Sequence, residues 1–275
     1  MILIIEAKIG GLMRTAVLCE NTALSEKYAC EHGLSLYIET GSHKILFDTG
    51  QTDVFVKNAH LMDIDLTLAD TVIISHGHYD HGGGLKKLLD INRHAAVYIN
   101  EHAFEPHYNG TNKYNGLDIS LKDSERLTFT GDFLKIDDEL TLLTLNGLPR
   151  PYSFGSFGLN TVQGGKLIPD DFMHEQYLII KENAKSVLVS GCSHKGILNI
   201  MSMLPTPPDA VIGGFHFMKL DTEDDRHELD LAARVLNAYN TLYYTCHCTG
   251  EKQYAYLFER MPRLRYICSG QRVEI

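Results

Sequence analysis

Residues 76 to 81 read His76-Gly77-His78-Tyr79-Asp80-His81, three imidazoles and a carboxylate within six residues. A segment this short lets one loop aim all four side chains at a shared point. Thr71-Val72-Ile73-Ile74 just upstream is a β-branched run that predicts a buried strand, and Gly82-Gly83-Gly84 downstream leads into Leu85-Lys86-Lys87-Leu88-Leu89, which predicts a helix. Neutral imidazole nitrogens with a carboxylate oxygen suit zinc or iron, whereas calcium and magnesium prefer oxygen donors throughout. The expectation is a metal site on a strand-to-helix turn, holding one or two ions, with Zn²⁺ the first choice and iron or manganese the alternatives.

Ser75-His76-Gly77-His78-Tyr79-Asp80-His81-Gly82-Gly83 resembles the H-x-H-x-D-H signature of the metallo-β-lactamase superfamily. Ile45-Leu46-Phe47-Asp48-Thr49-Gly50 is similar to the strand-ending Asp motif that buttresses the metal loop there. Cys19-Glu20-Asn21, Glu31-His32-Gly33-Leu34-Ser35, Ser190-Gly191-Cys192-Ser193-His194 and Cys246-His247-Cys248-Thr249-Gly250 together resemble a subgroup labelled dihydropterin-methyl-ribofuranosyl-aminobenzene-phosphate synthase-like. The resemblance implies an α/β fold, a four-layer αββα sandwich of two sheet-plus-helix halves, with metals at one edge between the sheets. The whole of residues 1–275 is read as one such domain.

Composition limits the alternatives. With 275 residues and 44% hydrophobic content, the chain can bury a substantial core. A formal net charge of -10 disfavours nonspecific nucleic-acid binding, which needs clustered Lys and Arg. Met1-Ile2-Leu3-Ile4-Ile5 is apolar but is followed at once by Glu6 and Lys8, so it reads as an N-terminal strand and not as a signal h-region or membrane span. The six cysteines show no regular disulfide spacing, which favours reduced thiols and a cytoplasmic location. The expected partner is a small-molecule substrate, without nucleic acid or membrane, and the sequence does not fix an oligomeric state.

The first third alternates strand-like runs with turns. From about 185 the pattern becomes βαβ: strands at Ser186–Val189, Ala210–Ile212 and Leu242–Tyr244, a helix from Gly196 to Leu204, and a long helix capped by Thr222 with Leu229, Ala232, Ala233, Leu236 and Tyr239 on its apolar face. Residues near 92–170 are irregular and rich in Gly, Asn and aromatics, and are expected to form a substrate-covering insertion. Tyr108, Asn109, Tyr114 and Asn115 are its candidate contacts.

His194, His216 and His247 each follow a strand within a few residues, where open α/β sheets place ligands. By the resemblance, His76 and His78 belong to one metal, Asp80 and His81 to a second, with His194 and His247 completing the set. Cys192 stands where the superfamily commonly has an aspartate that bridges two metals, so it is a metal ligand or a buried packing thiol. Asp48 is expected beside the metal loop, accepting hydrogen bonds from it. His216 is read as a catalytic or substrate-facing residue together with Asp80, or as a ligand of the second metal, or else as a satisfied core histidine. Cys246 and Cys248, opposite His247 in strand alternation, are expected to pack away from it. His32 is a pocket candidate, and His174 receives no general role.

Metal-activated hydrolysis of a small, anionic ester, lactone or phosphoester is the first functional reading. The absence of a G-x-S-x-G elbow argues against a Ser-His-Asp hydrolase. The subgroup name implies a rival, transfer of a dihydropterin-methyl group with release of diphosphate. A metal-dependent redox or sensing protein is a third reading.

Overall fold

The structure, a computed structural model, describes residues 13–275, so the strand expected at Met1–Ile5 lies outside the described residues. One sheet has seven strands in the order Arg272–Glu274, Arg14–Cys19, Ser35–Glu39, Lys44–Phe47, Thr71–Ile74, Ala96–Asn100 and Leu127–Thr130. The other has seven in the order Leu264–Tyr266, Leu242–Thr245, Ala210–Gly213, Lys185–Val189, Tyr177–Glu182, Leu140–Leu143 and Phe133–Lys135. Each sheet has an antiparallel part and a parallel part, and the ligand-bearing loops leave the parallel strands.

The β-branched run before the metal loop has a direct structural cause. Ile73 packs between the sheets with Val17, Phe47, Leu178 and Val189, while Val72 and Ile74 face the other way, onto Phe55, Leu85 and Leu88 of two helices. A parallel strand covered on both faces has no solvent side, so apolar residues run continuously. The second sheet repeats the arrangement. Val187 and Val189 enter the inter-sheet core and Leu188 meets the helices Ile197–Met203 and Arg226–Asn237. Helix, sheet, sheet, helix is thus the order of layers.

Two expectations need correction. The long helix begins at Arg226, after a turn in which the Asp221 carboxylate accepts from the Glu223 and Asp224 amides, so Asp221 and not Thr222 organises its entry. Residues 92–170 are not one insertion, because four of their strands, Ala96–Asn100, Leu127–Thr130, Phe133–Lys135 and Leu140–Leu143, belong to the two sheets. What stands apart is a small sheet ordered Lys166–Pro169, Leu159–Gln163, His107–Asn109 and Lys113–Tyr114, with its loops. Among the described residues, no helix is long and apolar enough to cross a membrane.

Candidate metal centre

The strand Thr71–Ile74 delivers the loop, a one-turn helix Tyr79–Gly82 carries Asp80 and His81, and the helix Leu85–Ile91 follows. Backbone bonds fix this loop from three sides: Tyr79 N–H to Asn115 O, Leu34 N–H to Asp80 O, and Thr49 N–H to His81 O. Two groups of side chains result. His76, His78 and His194 come together as one buried set, with His76 Nε2 3.3 Å from His194 Nε2. In the other, His81 Nε2 lies 3.2 Å from His247 Nε2 and 3.1 Å from Cys192 Sγ, and Asp80 Oδ2 is 3.4 Å from His247 Nε2.

The second set carries a test of whether a cation fits. His81 Nδ1 faces the buried Asp48 carboxylate at 2.7 Å, which can only accept, so that nitrogen carries a proton. His247 Nδ1 faces Asn21 Oδ1 at 2.8 Å, the same oxygen that accepts from Gly33 N–H. With both Nδ1 atoms protonated, the neutral rings turn two lone pairs toward each other beside a carboxylate and a sulfur. Such facing acceptors call for a positive charge between them. Burial opposes charge on His81, yet Asp48 and Asp80 beside it push its pKa up to about 9, so without metal a proton supplies that charge. Burial also works against the Asp80 carboxylate, but the His81 charge and contacts from His247 and His32 hold it well below the ordinary carboxylate range.

Asp48 reaches further than His81. Its Oδ1 accepts from Ser75 N–H and its Oδ2 from Ser75 Oγ–H, both at 2.7 Å, so the Ser75 oxygen is left to accept from His76 Nδ1–H at 2.8 Å. One carboxylate therefore sets the tautomer of a histidine in each set and leaves His76 Nε2 free to bind a cation. Gly191 lets the two sheets close here, since a Cβ at that position would collide with the Ser75 hydroxyl. Two further buried glutamates hold the other loops. Glu175 accepts from the His194 and Lys195 amides at 2.6 and 3.0 Å, and Glu20 accepts from the His247 amide at 2.6 Å. Asp48, Ser193, His216 and His247 take φ of 60, 59, 57 and 51°, left-handed conformations within four residues after a strand.

Around these residues lies a cleft of about 160 Å³, lined by His32, Cys192, His194, His216 and Cys248 and, from the small outer sheet, by Asn109, Lys113, Asn115 and Leu159. An adjoining hollow of about 170 Å³ shares His194 and His216 and includes Arg150 and Lys195. His216 is half-buried, and among the described residues neither of its ring nitrogens has a hydrogen-bond partner, so it is not a satisfied core histidine. Tyr108 and Tyr114, by contrast, pack on each other, with Tyr114 donating to Leu117 O.

Cys248 is a correction. The strand stops at Thr245 and His247–Thr249 forms a 3-10 turn, so alternation no longer applies, and Cys248 joins Cys192 and His247 at the site while Cys246 packs between the sheets. Burial pushes the Cys192 thiol well above its usual range. The buried residues His107, Asp170 and His174 were also missed, and they gather beside His78. His107 and Asp170 are 63 positions apart, with no local pattern to join them.

The sequence profile of the metallo-β-lactamase superfamily matches residues 29–195. The chain belongs to that superfamily. A synthase of Methanocaldococcus jannaschii, named 7,8-dihydropterin-6-methyl-4-(beta-D-ribofuranosyl)-aminobenzene-5'-phosphate synthase, is 29% identical over 273 residues, covering 83% of this chain and 87% of the relative. An uncharacterised protein of the same organism is 29% identical over 243 residues, covering 86% of this chain and 90% of the relative. Among solved structures, Tm1679, described as a metal-dependent hydrolase of the beta-lactamase superfamily, superposes with a TM-score of 0.80 at 30% identity, covering 96% of this chain and 99% of the other.

Proposed function

We propose that this superfamily member is a metal-dependent hydrolase of a small anionic ester, lactone or phosphoester. The observation that carries the reading is the pair of facing imidazole lone pairs, His81 Nε2 and His247 Nε2, beside Asp80 and Cys192 in a cleft large enough for a small substrate. His76, His78 and His194 would hold one ion and Asp80, His81 and His247 a second, with Cys192 as a further donor to the latter. Zn²⁺ suits this imidazole, carboxylate and sulfur set, with iron or manganese as alternatives. A divalent cation there supplies Lewis acidity, which makes water nucleophilic near neutral pH and polarises a substrate oxygen.

The chain's own residues supply the rest. Asp80, kept ionised, can accept a hydrogen bond that orients water, but its depressed pKa makes it a poor store for a proton. His216, with both ring nitrogens unengaged in the cleft, is the better group to hand a proton to the leaving oxygen. Lys113 and Lys219 line the same cleft in a chain of net charge -10, which favours an anionic substrate locally. We place the activity in the cytoplasm, acting on a small molecule.

The resemblance to the synthase supports a second reading, transfer of a pterin-methyl group with loss of diphosphate. One assay separates the two. Metal-loaded protein is incubated with esters, lactones and phosphodiesters in H₂¹⁸O, and separately with a pterin-methyl diphosphate with and without an arylamine. Hydrolysis predicts ¹⁸O in the product and a raised KM for anionic substrates in the Lys113→Ala, Lys219→Ala double variant. Diphosphate release that depends strictly on the arylamine, with no ¹⁸O uptake from any ester, would overturn it.

A further inference from the structure

A buried His–Asp–His cluster lies against the metal loop without belonging to either ligand set. His174 Nδ1 accepts from the Gly77 amide at 2.9 Å, so the His174 proton sits on Nε2, 3.3 Å from Asp170 Oδ2. The same oxygen lies 2.9 Å from His107 Nδ1. His107 therefore carries its proton on Nδ1 and a lone pair on Nε2. Among the described residues His107 Nε2 has no partner, and neither does His78 Nε2, on a ring 5.6 Å away and nearly perpendicular. All four residues are buried. Gly77 is pressed onto the cluster, since a Cβ there would collide with the Ala103 carbonyl and come within 2.8 Å of His107 Nε2.

A third cation position would leave acceptors facing one another, as His81 and His247 do. Here each contact to Asp170 matches a proton with an acceptor, so hydrogen bonds account for the contacts within the His–Asp–His cluster without an ion. The three ligand-bearing segments already described each lean on one buried carboxylate: Asp48 under residues 75–81, Glu175 under His194 and Glu20 under His247. Among the histidine ligand candidates, His78 is the one with no contact, direct or through Ser75, to those three carboxylates among the described residues.

We propose that His107, Asp170 and His174 are positioning residues for the first metal position, holding the Gly77 peptide and offering His107 Nε2 as the acceptor for the proton that His78 keeps when its other nitrogen binds a cation. This rests on the reading of His76, His78 and His194 as ligands. Imidazole ligands depend on such partners for ring orientation, and removing one weakens binding about 10- to 100-fold.

The test is cobalt titration followed by visible absorption, with each position isolated. In a His247→Ala background the first position is measured alone, and in a His194→Ala background the second. Asp170 meets both imidazoles through Oδ2 and accepts from the Phe172 amide through Oδ1, so the one oxygen of Asp170→Asn cannot serve both sides; the variant should weaken the first position about 10- to 100-fold and change its d–d bands while leaving the second within about twofold. His107→Phe, which keeps a ring at this position but has no acceptor for the His78 proton, should weaken the first position while leaving the second within about twofold, and it decides the matter if Asp170→Asn does not fold. Equal affinities at the first position in the variants and their parent would overturn the brace, as would equal losses at both positions with a lowered melting temperature. Failure of the parent protein itself to bind cobalt would overturn the metal reading beneath it.

Discussion

Replacing Asp48 with asparagine changes no volume and removes one charge, yet it should disturb both metal positions. The carboxylate accepts from Ser75 N–H through Oδ1 and from Ser75 Oγ–H and His81 Nδ1–H through Oδ2, all at 2.7 Å and wholly out of solvent. An amide has one oxygen. With that oxygen toward Ser75 N–H, the NH₂ group opposes His81 Nδ1–H and drives the His81 proton onto Nε2, the atom that faces His247 and Cys192. The same NH₂ donates to Ser75 Oγ, whose proton then turns toward His76 Nδ1 and reverses that tautomer as well. Flipping the amide places NH₂ against Ser75 N–H, which leaves two buried donors opposed at about 1–3 kcal/mol. Loss of an orienting partner weakens metal binding about 10- to 100-fold at each site, or about 1.4–2.8 kcal/mol. Calorimetric titration of metal-free Asp48→Asn with zinc should show both binding events weakened by that range, with a lowered melting temperature. Two events at parental affinity would refute the claim that Asp48 sets the tautomers.

Burial holds His76, His78, His194 and His174 neutral, the last with its pKa lowered to about 4. The unfolded chain takes up protons near pH 6.5 that these folded rings refuse, so their contribution to stability is complete above 6.5 and is lost as pH falls toward 4. Each ring costs up to about 1.4 kcal/mol per pH unit in that window, and thermal melts from pH 7 to 4.5 should fall steeply; a flat profile contradicts the burial argument. His81 has the opposite sign. Its raised pKa stabilises the metal-free protein below 6.5 and that contribution fades as pH rises through about 9, a decline that saturating zinc should abolish because metal replaces the proton. Cys192→Asp puts a hard carboxylate near His81 Nε2, where the sulfur now lies at 3.1 Å. Zinc titration should then show a tighter second binding event, and equally tight binding of two ions by the parent would show that the missing carboxylate does not matter.

What was legible in the sequence was local or periodic. The H-x-H-x-D-H loop announces itself because four donors share six residues, and the strand Thr71–Ile74 because burial on both faces leaves a continuous apolar run. Asp48 follows from the cost of burying a carboxylate at a strand end. His107, Asp170 and His174 escaped because none belongs to a local donor pattern, and between His107 and Asp170 the chain contributes three strands to the two large sheets and three more to the small one. Cys248 was misplaced because strand alternation was extended past Thr245, where a 3-10 turn takes over. The cover near 92–170 was drawn too wide for a similar reason: strands such as Leu127–Thr130 are short and partly exposed, with little periodic signal.

The left-handed residues just after the strands bear on how this protein would respond to selection. Each non-glycine residue held there costs about 1–2 kcal/mol, so Asp48, Ser193, His216 and His247 together bind up an amount comparable to the whole net stability of a modest domain, about 5–15 kcal/mol. The cleft thus holds four of the ten non-glycine residues of positive φ among the described residues, and the packed sheets on either side supply the restraint. Drift toward glycine at these four positions would relax the tension and favour a sturdier chain. Ser193, whose hydroxyl among the described residues meets only Ser190 Oγ, could take that path at little chemical loss. His216 and His247 could not, so a screen for heat resistance and a screen for turnover should choose different residues at the same backbone geometry.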